Sequence, residues 1–254
     1  MTLRSMAAAI VAAAAGLTVL PAPEVAGQDT AIRVLVSDGM KAAIEELRQR
    51  CERAIRRPLT LQFSSTASLK TKIEAGEAFD VAILTSEAVE DLVKHGKLIG
   101  STRADLARSE LGIGIRAGAP KPDIRTPEGL KQTLRRAKSI VYPRDGASRG
   151  YIEQMFERMG ITADIKSKIT LASRSGPATQ SVAKGKAELV IIVFSEIVAI
   201  QGVEILGALP GEFRHDIPFA AAASGATKNA EAARALIEFL AGPKAAAVYK
   251  AKGL

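Results

Sequence analysis

Small hydroxyl side chains are densest where one apolar run of this chain ends and a helical pattern begins. Four of the five positions from Ser64 to Ser68 carry hydroxyls, directly after the apolar segment that ends at Phe63. One side-chain oxygen is enough to cap a helix start, so the surplus hydroxyls can donate to a ligand beside backbone N–H groups that favour negative charge. The pattern predicts an anion-binding cradle at Ser65 and Thr66. The alternative is a polar turn with a redundant cap.

Three other junctions between a strand pattern and a helix pattern have a similar composition: Ser37-Asp38-Gly39, the segment 145–150 and the segment 173–176. Ser148 and Ser175 are the hydroxyl residues expected to bind in the last two. Small residues let a ligand approach the backbone, and each junction opens a helix whose first N–H groups point outward. Plain turns also need glycine and serine, so each junction alone is weak evidence. Together, the four predict that one small anion is bound from two sides.

Charged side chains at these junctions bear on the class of ligand. Arg149 and Arg174 lie in the last two junctions, and a guanidinium group suits a two-pronged hold on a carboxylate. The alternative for each arginine is a side chain that extends into solvent. Asp38 would repel a bound anion unless it caps its own helix or meets a ligand hydroxyl or amine. The sequence leaves that question open.

A catalytic set is poorly supported. His95 and His215 have no serine–acid or metal-ligand partner at a recognisable spacing, and Cys51 falls on the apolar side of a predicted helix. No phosphate-binding loop or dinucleotide fingerprint occurs. We therefore predict a protein that is not an enzyme and has no catalytic residue, metal or cofactor. Asp38 is the one proton-transfer group expected in the binding cleft.

The elements that must position these residues alternate between strand and helix patterns. Apolar runs of strand length occur at 32–36, 59–63, 81–84, 111–115, 139–142, 169–171 and 188–194. Helical spacing separates them, as in residues 40–57, where Ala43, Ile44, Leu47, Cys51 and Ile55 recur. This alternation predicts an α/β fold with mainly parallel sheets covered by helices.

The chain also contains an approximate internal repeat. Gly76 is followed ten residues later by Ser86-Glu87-Ala88-Val89, and Gly185 is followed ten residues later by Ser195-Glu196-Ile197-Val198. The pair Asp38-Gly39 recurs 107 residues later as Asp145-Gly146. Chance similarity of two α/β units is the alternative. A true repeat predicts two lobes, residues 28–118 with 211–254 and residues 119–210, and a ligand cleft between them.

The N-terminus and the charge balance point to export. Arg4, an apolar stretch over 6–20 and small residues at 25–27 predict a secretory signal peptide over 1–27; the alternative is an uncleaved anchor. Cys51 is the single cysteine, so neither lipid attachment nor a disulfide framework is expected. The formal net charge of +8 suits anions, while 4% aromatic residues and no tryptophan argue against nucleic acid. We predict a monomer in the periplasm.

Three segments resemble the periplasmic molybdate-binding protein family: IRVLVSDGMKAAIEEL (32–47), FSSTASLKTKIEAGEAFDVAIL (63–84) and ALIEFLAGPKAAAVYKAKG (235–253). The resemblance covers nearly all of the mature chain. It implies the two-lobed type 2 periplasmic binding-protein fold, with a mainly parallel sheet in each lobe and the ligand between the lobes. It also implies delivery of the ligand to an ATP-driven importer (ABC transporter) in the inner membrane, whose permease would be the protein partner.

The same resemblance makes residue-level expectations about the ligand. The family's serine after the first strand matches Gly39, and its late tyrosine hydroxyl matches Phe194, so two expected donors are missing. The hydroxyl that the family has at the second junction is present here as Thr66 or Ser65. The family's backbone N–H donors from the second lobe correspond to positions near Ser148 and Ser175. The missing donors argue against molybdate, whereas Arg149 and Arg174 favour a larger organic anion.

The function expected from the sequence is therefore capture of a small anion, an organic carboxylate or an oxyanion, for import. Three alternatives remain open: a true molybdate- or tungstate-binding protein, a ligand-sensing domain that signals to a membrane partner, and an exported enzyme on the same fold.

Overall fold

A computed structural model describes residues 31–254 of the chain, so the predicted signal peptide lies outside the described residues. The first part of the chain forms β1 (Ile32–Ser37), α1 (Lys41–Ile55), β2 (Leu59–Ser64), α2 (Thr66–Glu74), β3 (Val81–Thr85), α3 (Ser86–Lys94) and β4 (Ala104–Arg116). The middle part forms α4 (Pro127–Arg136), β5 (Ile140–Pro143), α5 (Arg149–Arg158), α6 (Thr162–Ile165), β6 (Ile169–Ala172), α7 (Ser175–Ala183), β7 (Leu189–Val193) and α8 (Phe194–Ile197). The last part forms β8 (Val203–Ala208), β9 (Asp216–Ala223), α9 (Ala230–Ala241) and α10 (Pro243–Ala251).

Two units with the same topology lie at the two ends of one sheet. In the first unit, β1 pairs in parallel with β2 and β3; in the second, β5 pairs in parallel with β6 and β7. The glycines of the repeat end the helices that precede β3 and β7, since Gly76 (φ 89°) and Gly185 (φ 69°) lie in the left-handed region that favours glycine. Each unit therefore directs the carboxyl ends of its strands toward the junction residues.

Strands β4 and β9 join the two units. Ala104–Glu110 of β4 pairs antiparallel with β9, which pairs antiparallel with β3. From Leu111 onward β4 pairs antiparallel with β7 and β8 instead. The sheet order is β2-β1-β3-β9-β4-β7-β5-β6, with β8 beside β4. Both crossing strands therefore belong to the sheet rather than to loops.

The mainly parallel sheet predicted for each lobe is present as three parallel strands in each unit. Half of the described strand pairings are antiparallel, all of them involving β4 or β9. The predicted strand runs do not include the segment 217–225, but Asp216–Ala223 forms β9. Its run of four alanines has weak intrinsic strand preference, and burial between β3 and β4 decides its structure.

The C-terminal helices pack on the first unit, since α9 and α10 both contact α1. Their buried residues belong to the main core cluster, as do Ile44 and Leu47 of α1, and this cluster extends into the second unit. Cys51 belongs to this core, as its helical spacing predicted, and burial raises the pKa of its thiol to about 12. Within residues 31–254, no helix is long and apolar enough to cross a bilayer.

Candidate functional site

A cavity of about 30 Å³ lies between the two units, where the carboxyl ends of their parallel strands meet. All four predicted junctions line it: Ser37, Asp38, Gly39, Ser65, Thr66, Asp145, Gly146, Ala147, Ser148, Ser173, Arg174 and Ser175, together with Pro143, Val193, Glu196, Ile217 and Phe219. A space of this size holds one or two water molecules. The units must therefore move apart to admit an organic ligand.

The hydroxyls of the first unit have separate structural roles. Ser65 caps α2, because its Oγ accepts a hydrogen bond from the backbone N–H of Ser68 at 3.2 Å. Thr66 Oγ donates to Ser37 Oγ at 3.0 Å, and both side chains are buried. The proton of Thr66 is thus used within the site, whereas the hydroxyl proton of Ser37 stays available to a ligand.

The second unit presents two helix starts to the cavity. Ser148 precedes α5 and Ser175 begins α7, and both are buried. Neither helix has a side chain that caps its first turn. Their first N–H groups therefore lie beside the cavity without a capping oxygen, which favours an anion there.

Arg174 connects the two units. Its Nη2 donates to Asp38 Oδ1 at 2.5 Å and its Nε to Asp38 Oδ2 at 3.1 Å. Nη2 also donates to the backbone oxygen of Phe63 at 3.0 Å. The hydrogen bond with Asp38 raises the pKa of Arg174. Asp38 is thus neutralised by the second unit in this structure.

Two residues expected to bind the ligand are not brought to the cavity. Arg149 donates from Nε to Glu153 Oε1 at 2.9 Å and from Nη1 to the Arg144 backbone oxygen at 3.0 Å. Phe194 packs against Gly112 of β4, where an added Cβ would lie 2.3 Å from the Phe194 ring. Arg149 does not reach the cavity because it pairs with Glu153, one helical turn away at i, i+4. Phe194 does not reach the cavity because α8 starts at this residue and turns its side chain toward β4.

Gly39 lines the cavity without offering a side chain. A Cβ at this position would lie 2.4 Å from Phe219 Cζ. The Phe219 ring therefore fills the space in which a serine side chain would stand. This contact supplies the physical reason for glycine at the position that the resemblance matched to serine.

The sequence prediction missed Glu196, which lines the cavity beside Asp38, Arg174 and Ser175. Desolvation raises the pKa of Glu196 to about 8; the charge of Asp38 adds to the rise, while the Ser175 hydroxyl and Arg174 oppose it. The sequence signal that could have identified it was the repeat, which places a Ser-Glu pair within the first residues after the third strand of each unit.

The charges that line the cavity are three carboxyl groups (Asp38, Asp145 and Glu196) and one guanidinium, that of Arg174. Selectivity for an anion must therefore come from the helix starts, the hydroxyls and Arg174, with Glu196 protonated near neutral pH. Among residues 31–254, no cluster of three or more His, Cys, Asp or Glu side chains is arranged to hold a metal ion. The histidines lie elsewhere, His95 beside Asp91 and His215 stacked on Tyr151.

A family model described as bacterial extracellular solute-binding protein matches residues 32–254. Aconitate isomerase of Pseudomonas sp. is 30% identical over 231 residues, which cover 89% of this chain and 87% of that protein. The molybdate-binding protein ModA of Azotobacter vinelandii is 26% identical over 256 residues, which cover 98% and 97% of the two chains.

Two solved structures have a similar architecture. The periplasmic molybdate-binding protein of Azotobacter vinelandii superposes with a TM-score of 0.72 at 21% identity, covering 87% of this chain and 97% of that one. The sulfate-binding protein SubI from Mycobacterium tuberculosis superposes with a TM-score of 0.73 at 17% identity, covering 88% and 86%. At these identities the likeness concerns the fold, and it confirms the predicted two-lobed α/β architecture.

Proposed function

We propose that this chain, which belongs to the bacterial extracellular solute-binding protein family, holds an organic carboxylate in the cavity between its lobes. The predicted similarity to molybdate-binding proteins is confirmed, and the chain is a periplasmic small-anion-binding protein of the type that serves ABC importers. The proposal concerns the ligand. The observation that carries it is the two-pronged contact of Arg174 with a carboxylate, that of Asp38.

The Asp38 carboxylate marks where a ligand carboxylate would bind. Two parallel N–H···O bonds match the planar geometry of a carboxylate. Because Asp38 and Arg174 belong to opposite units, their contact breaks when the lobes separate. A ligand carboxylate then replaces Asp38 on Arg174, and Asp38 is left to accept a hydrogen bond from a ligand hydroxyl or protonated carboxyl group.

The rest of the cavity suits a second negative group on the same ligand. Away from Arg174, the cavity is lined by the hydroxyl of Ser37 and by the uncapped starts of α5 and α7. Di- and tricarboxylates therefore fit better than a single compact oxyanion. The relative at 30% identity is named for aconitate, a tricarboxylate, which supports the same class. The absence of a side chain at Gly39 and the position of Phe194 outside the cavity argue against molybdate.

The lobe boundaries are part of the proposal: residues 28–118 with 211–254, and residues 119–210. The change of β4 partners between Glu110 and Leu111 supports a hinge within β4, eight residues before the first boundary. We also propose that residues 1–27 are removed on export, that the mature chain acts as a monomer, that it binds no nucleic acid, and that it binds its ligand without turning it over.

A thermal-shift screen of residues 28–254, followed by calorimetry, tests the ligand class. The panel contains cis- and trans-aconitate, citrate, succinate, molybdate, tungstate and sulfate. A ligand at a hundredfold excess over its Kd stabilises the folded state by about 2.7 kcal/mol. We expect a tricarboxylate to raise the Tm and the metal oxyanions to leave it unchanged. Tight binding of molybdate or tungstate with no response to any carboxylate would overturn the proposal.

A second candidate function is isomerisation of an unsaturated tricarboxylate, which Glu196 favours. A carboxyl group with a pKa near 8, in a cavity with Arg174, is poised for proton exchange. In its ionised form Glu196 would take a proton from the methylene carbon beside the double bond, leaving a delocalised allylic anion. The resulting acid would return the proton to the carbon at the other end. The double bond moves, and no atom is gained or lost.

Proton NMR of trans-aconitate in D2O with the purified protein tests this candidate. Turnover would appear as cis-aconitate with deuterium in its methylene group. We expect Glu196→Gln to abolish conversion while calorimetry still detects binding, and the exposed counterpart variant Glu87→Gln to convert at the wild-type rate. If the wild type binds aconitate without converting it, this second candidate fails and the carboxylate proposal stands.

A further inference from the structure

The buried hydroxyl of Ser109 joins three distant parts of the chain beside the short helix α8. Ser109 lies in β4 and is 1% exposed. Its Oγ donates to the backbone oxygen of Gly253, which follows α10, at 2.6 Å. The same oxygen accepts a hydrogen bond from the backbone N–H of Ser195, in α8, at 3.1 Å. One side chain therefore ties the start of α8 and the segment after α10 to β4.

Ser109 occupies the place where β4 changes partners. It pairs with Ile217 of β9, and two residues later Leu111 pairs with Val193 of β7. Val193 ends β7 and is the N-cap of α8, but its side chain makes no capping hydrogen bond. The Ser195 N–H is one of the orphan donors of that helix start. The Ser109 hydroxyl thus does from another strand what a capping side chain does locally.

Gly253 allows the segment after α10 to lie directly against the start of α8. Its φ of 75° is in the left-handed region that favours glycine. A Cβ there would lie 3.2 Å from the backbone carbonyl carbon of Phe194 and 3.2 Å from the backbone nitrogen of Ser195, closer than ordinary contact. The ion pair of Lys252 with Glu46 at 2.7 Å holds this segment on α1. The first unit therefore contacts α8 through Gly253.

Glu196 directly follows Ser195 in α8 and lines the cleft. Helix α8 has only four residues, so its own hydrogen bonds contribute little to its position. It also contacts the turn at residues 38–40 of the first unit. The placement of the Glu196 carboxyl group therefore depends on what holds α8 from outside.

We propose that Ser109 and Gly253 are positioning residues for Glu196: they fix the start of α8 against the first unit, so that the Glu196 carboxyl group faces the cleft. This inference rests on the proposed function, since it takes the cleft as the ligand site. Without the Ser109 hydroxyl, two buried backbone groups lose their partner, the N–H of Ser195 and the oxygen of Gly253. Helix α8 then loosens, and water reaches Glu196.

The test is the pH dependence of Tm in the protein without ligand. Burial raises the pKa of Glu196, so the acid stabilises the fold at pH 5 and this contribution is lost by pH 8. Replacing it by Glu196→Gln should therefore raise the Tm at pH 8, relative to pH 5, by about 6–12 °C for a domain of this size. We expect this gain to fall to less than half in the Ser109→Ala protein. The other charged groups that line the cavity, Asp38, Asp145 and Arg174, are unchanged in both backgrounds.

Gly253→Ala is the independent variant in case Ser109→Ala fails to fold, and it should reduce the gain in the same way. Thr102→Val is the matched control. Thr102 Oγ1 also donates to a backbone oxygen, that of Ile99 at 2.7 Å, and accepts from a backbone N–H, that of Ala223 at 2.9 Å, but neither partner is in α8. Thr102→Val should lower the Tm at both pH values and leave the gain from Glu196→Gln intact.

A full gain from Glu196→Gln in both the Ser109→Ala and the Gly253→Ala protein would overturn the proposal. An equal reduction in the Thr102→Val protein would do so too, because the effect would then be general destabilisation. Since no ligand is present, the result is separate from the carboxylate screen. A failed screen with a reduced gain would reject the proposed ligand and support the positioning role.

Discussion

The two repeated units share a topology but supply different chemistry to the cleft. Both contribute hydroxyls, a glycine and an aspartate carboxylate, but only the second adds a guanidinium, that of Arg174, and the carboxyl group of Glu196. Glu87 occupies the position of Glu196 in the first unit and is exposed to solvent. The helix after the third strand explains the difference. In the first unit α3 has nine residues, whereas α8 has four and packs against the turn at residues 38–40.

The short helix α8 thus carries its acid into the cleft, whereas the long helix α3 leaves its acid in solvent. A repeat of the backbone therefore does not imply a repeat of the site. Helix length and the element against which the helix packs decide which of two equivalent residues meets the ligand. Substitutions at paired positions of the two units, or of the two junction arginines, test this conclusion.

The largest effect is expected at the arginines. Arg174→Ala should weaken binding of the carboxylate found in the screen by about 100-fold, because a two-pronged charged contact is lost. Arg149→Ala should change the affinity by less than about threefold, since Arg149 forms an exposed i, i+4 pair with Glu153. Calorimetry measures both. Equal losses for the two variants would show that Arg149 also reaches the ligand once the lobes open.

The next largest effect is expected on folding stability, at the glycines of the two Asp-Gly pairs. Gly39→Ala should destabilise the protein by about 1–3 kcal/mol, because its Cβ would press on the Phe219 ring in a closely packed core. Gly146→Ala should cost less, since the nearest atom to its Cβ would be Pro143 Cγ at 3.0 Å. Urea unfolding curves for the two variants supply the comparison. If Gly39→Ala left the stability unchanged, the Phe219 ring would be able to move away, and a serine hydroxyl would fit the cleft.

The paired acids should differ in the pH dependence of stability. The raised pKa of Glu196, about 8 against an ordinary 4.5, means that the folded state binds more protons than the unfolded state between those values. This group therefore stabilises the fold fully below pH 4.5, and the contribution is lost as the pH rises to 8. Asp38, Asp145 and Arg174 are the other charged groups that line this cavity.

Glu196→Gln should remove this component. At pH 8, relative to pH 5, the variant should gain roughly 3 kcal/mol of stability over the wild type, which corresponds to about 6–12 °C in Tm for a domain of this size. Glu87→Gln, at the exposed equivalent position, should follow the wild-type profile. Parallel Tm curves for the wild type and Glu196→Gln would show that the burial of Glu196 does not perturb its titration.

The smallest effect is expected at the buried hydroxyls. Thr66→Val removes the hydrogen bond to Ser37 and should weaken ligand binding by about fivefold, as expected for one neutral hydrogen bond. Ser175→Ala should have a similar effect from the opposite unit. Calorimetry with the same carboxylate checks both. A loss near that of Arg174→Ala would show that the hydroxyls, rather than the guanidinium, dominate recognition.

Local patterns in the sequence predicted much of this protein. Strand–helix alternation, the core position of Cys51 and the four junctions depend on hydrophobic period and cap chemistry, which involve residues close in the chain. Strand β9 was not predicted as a strand, since its alanine run becomes one only when it is buried between β3 and β4. The antiparallel sheet that joins the lobes is a long-range feature of the same kind.

The different roles of Arg149 and Arg174 could not be predicted from neighbouring residues in the sequence either. Arg149 finds its acid four residues away on its own helix, whereas Arg174 finds Asp38 across 136 residues of chain. Likewise, the sequence placed Glu87 and Glu196 at equivalent positions, and only the packing of α8 against the other unit placed Glu196 in the cleft. The sequence by itself determined which residues stand at the junctions. Tertiary structure decided which of them share a cavity, because burial and charge pairing there come from segments distant in the chain.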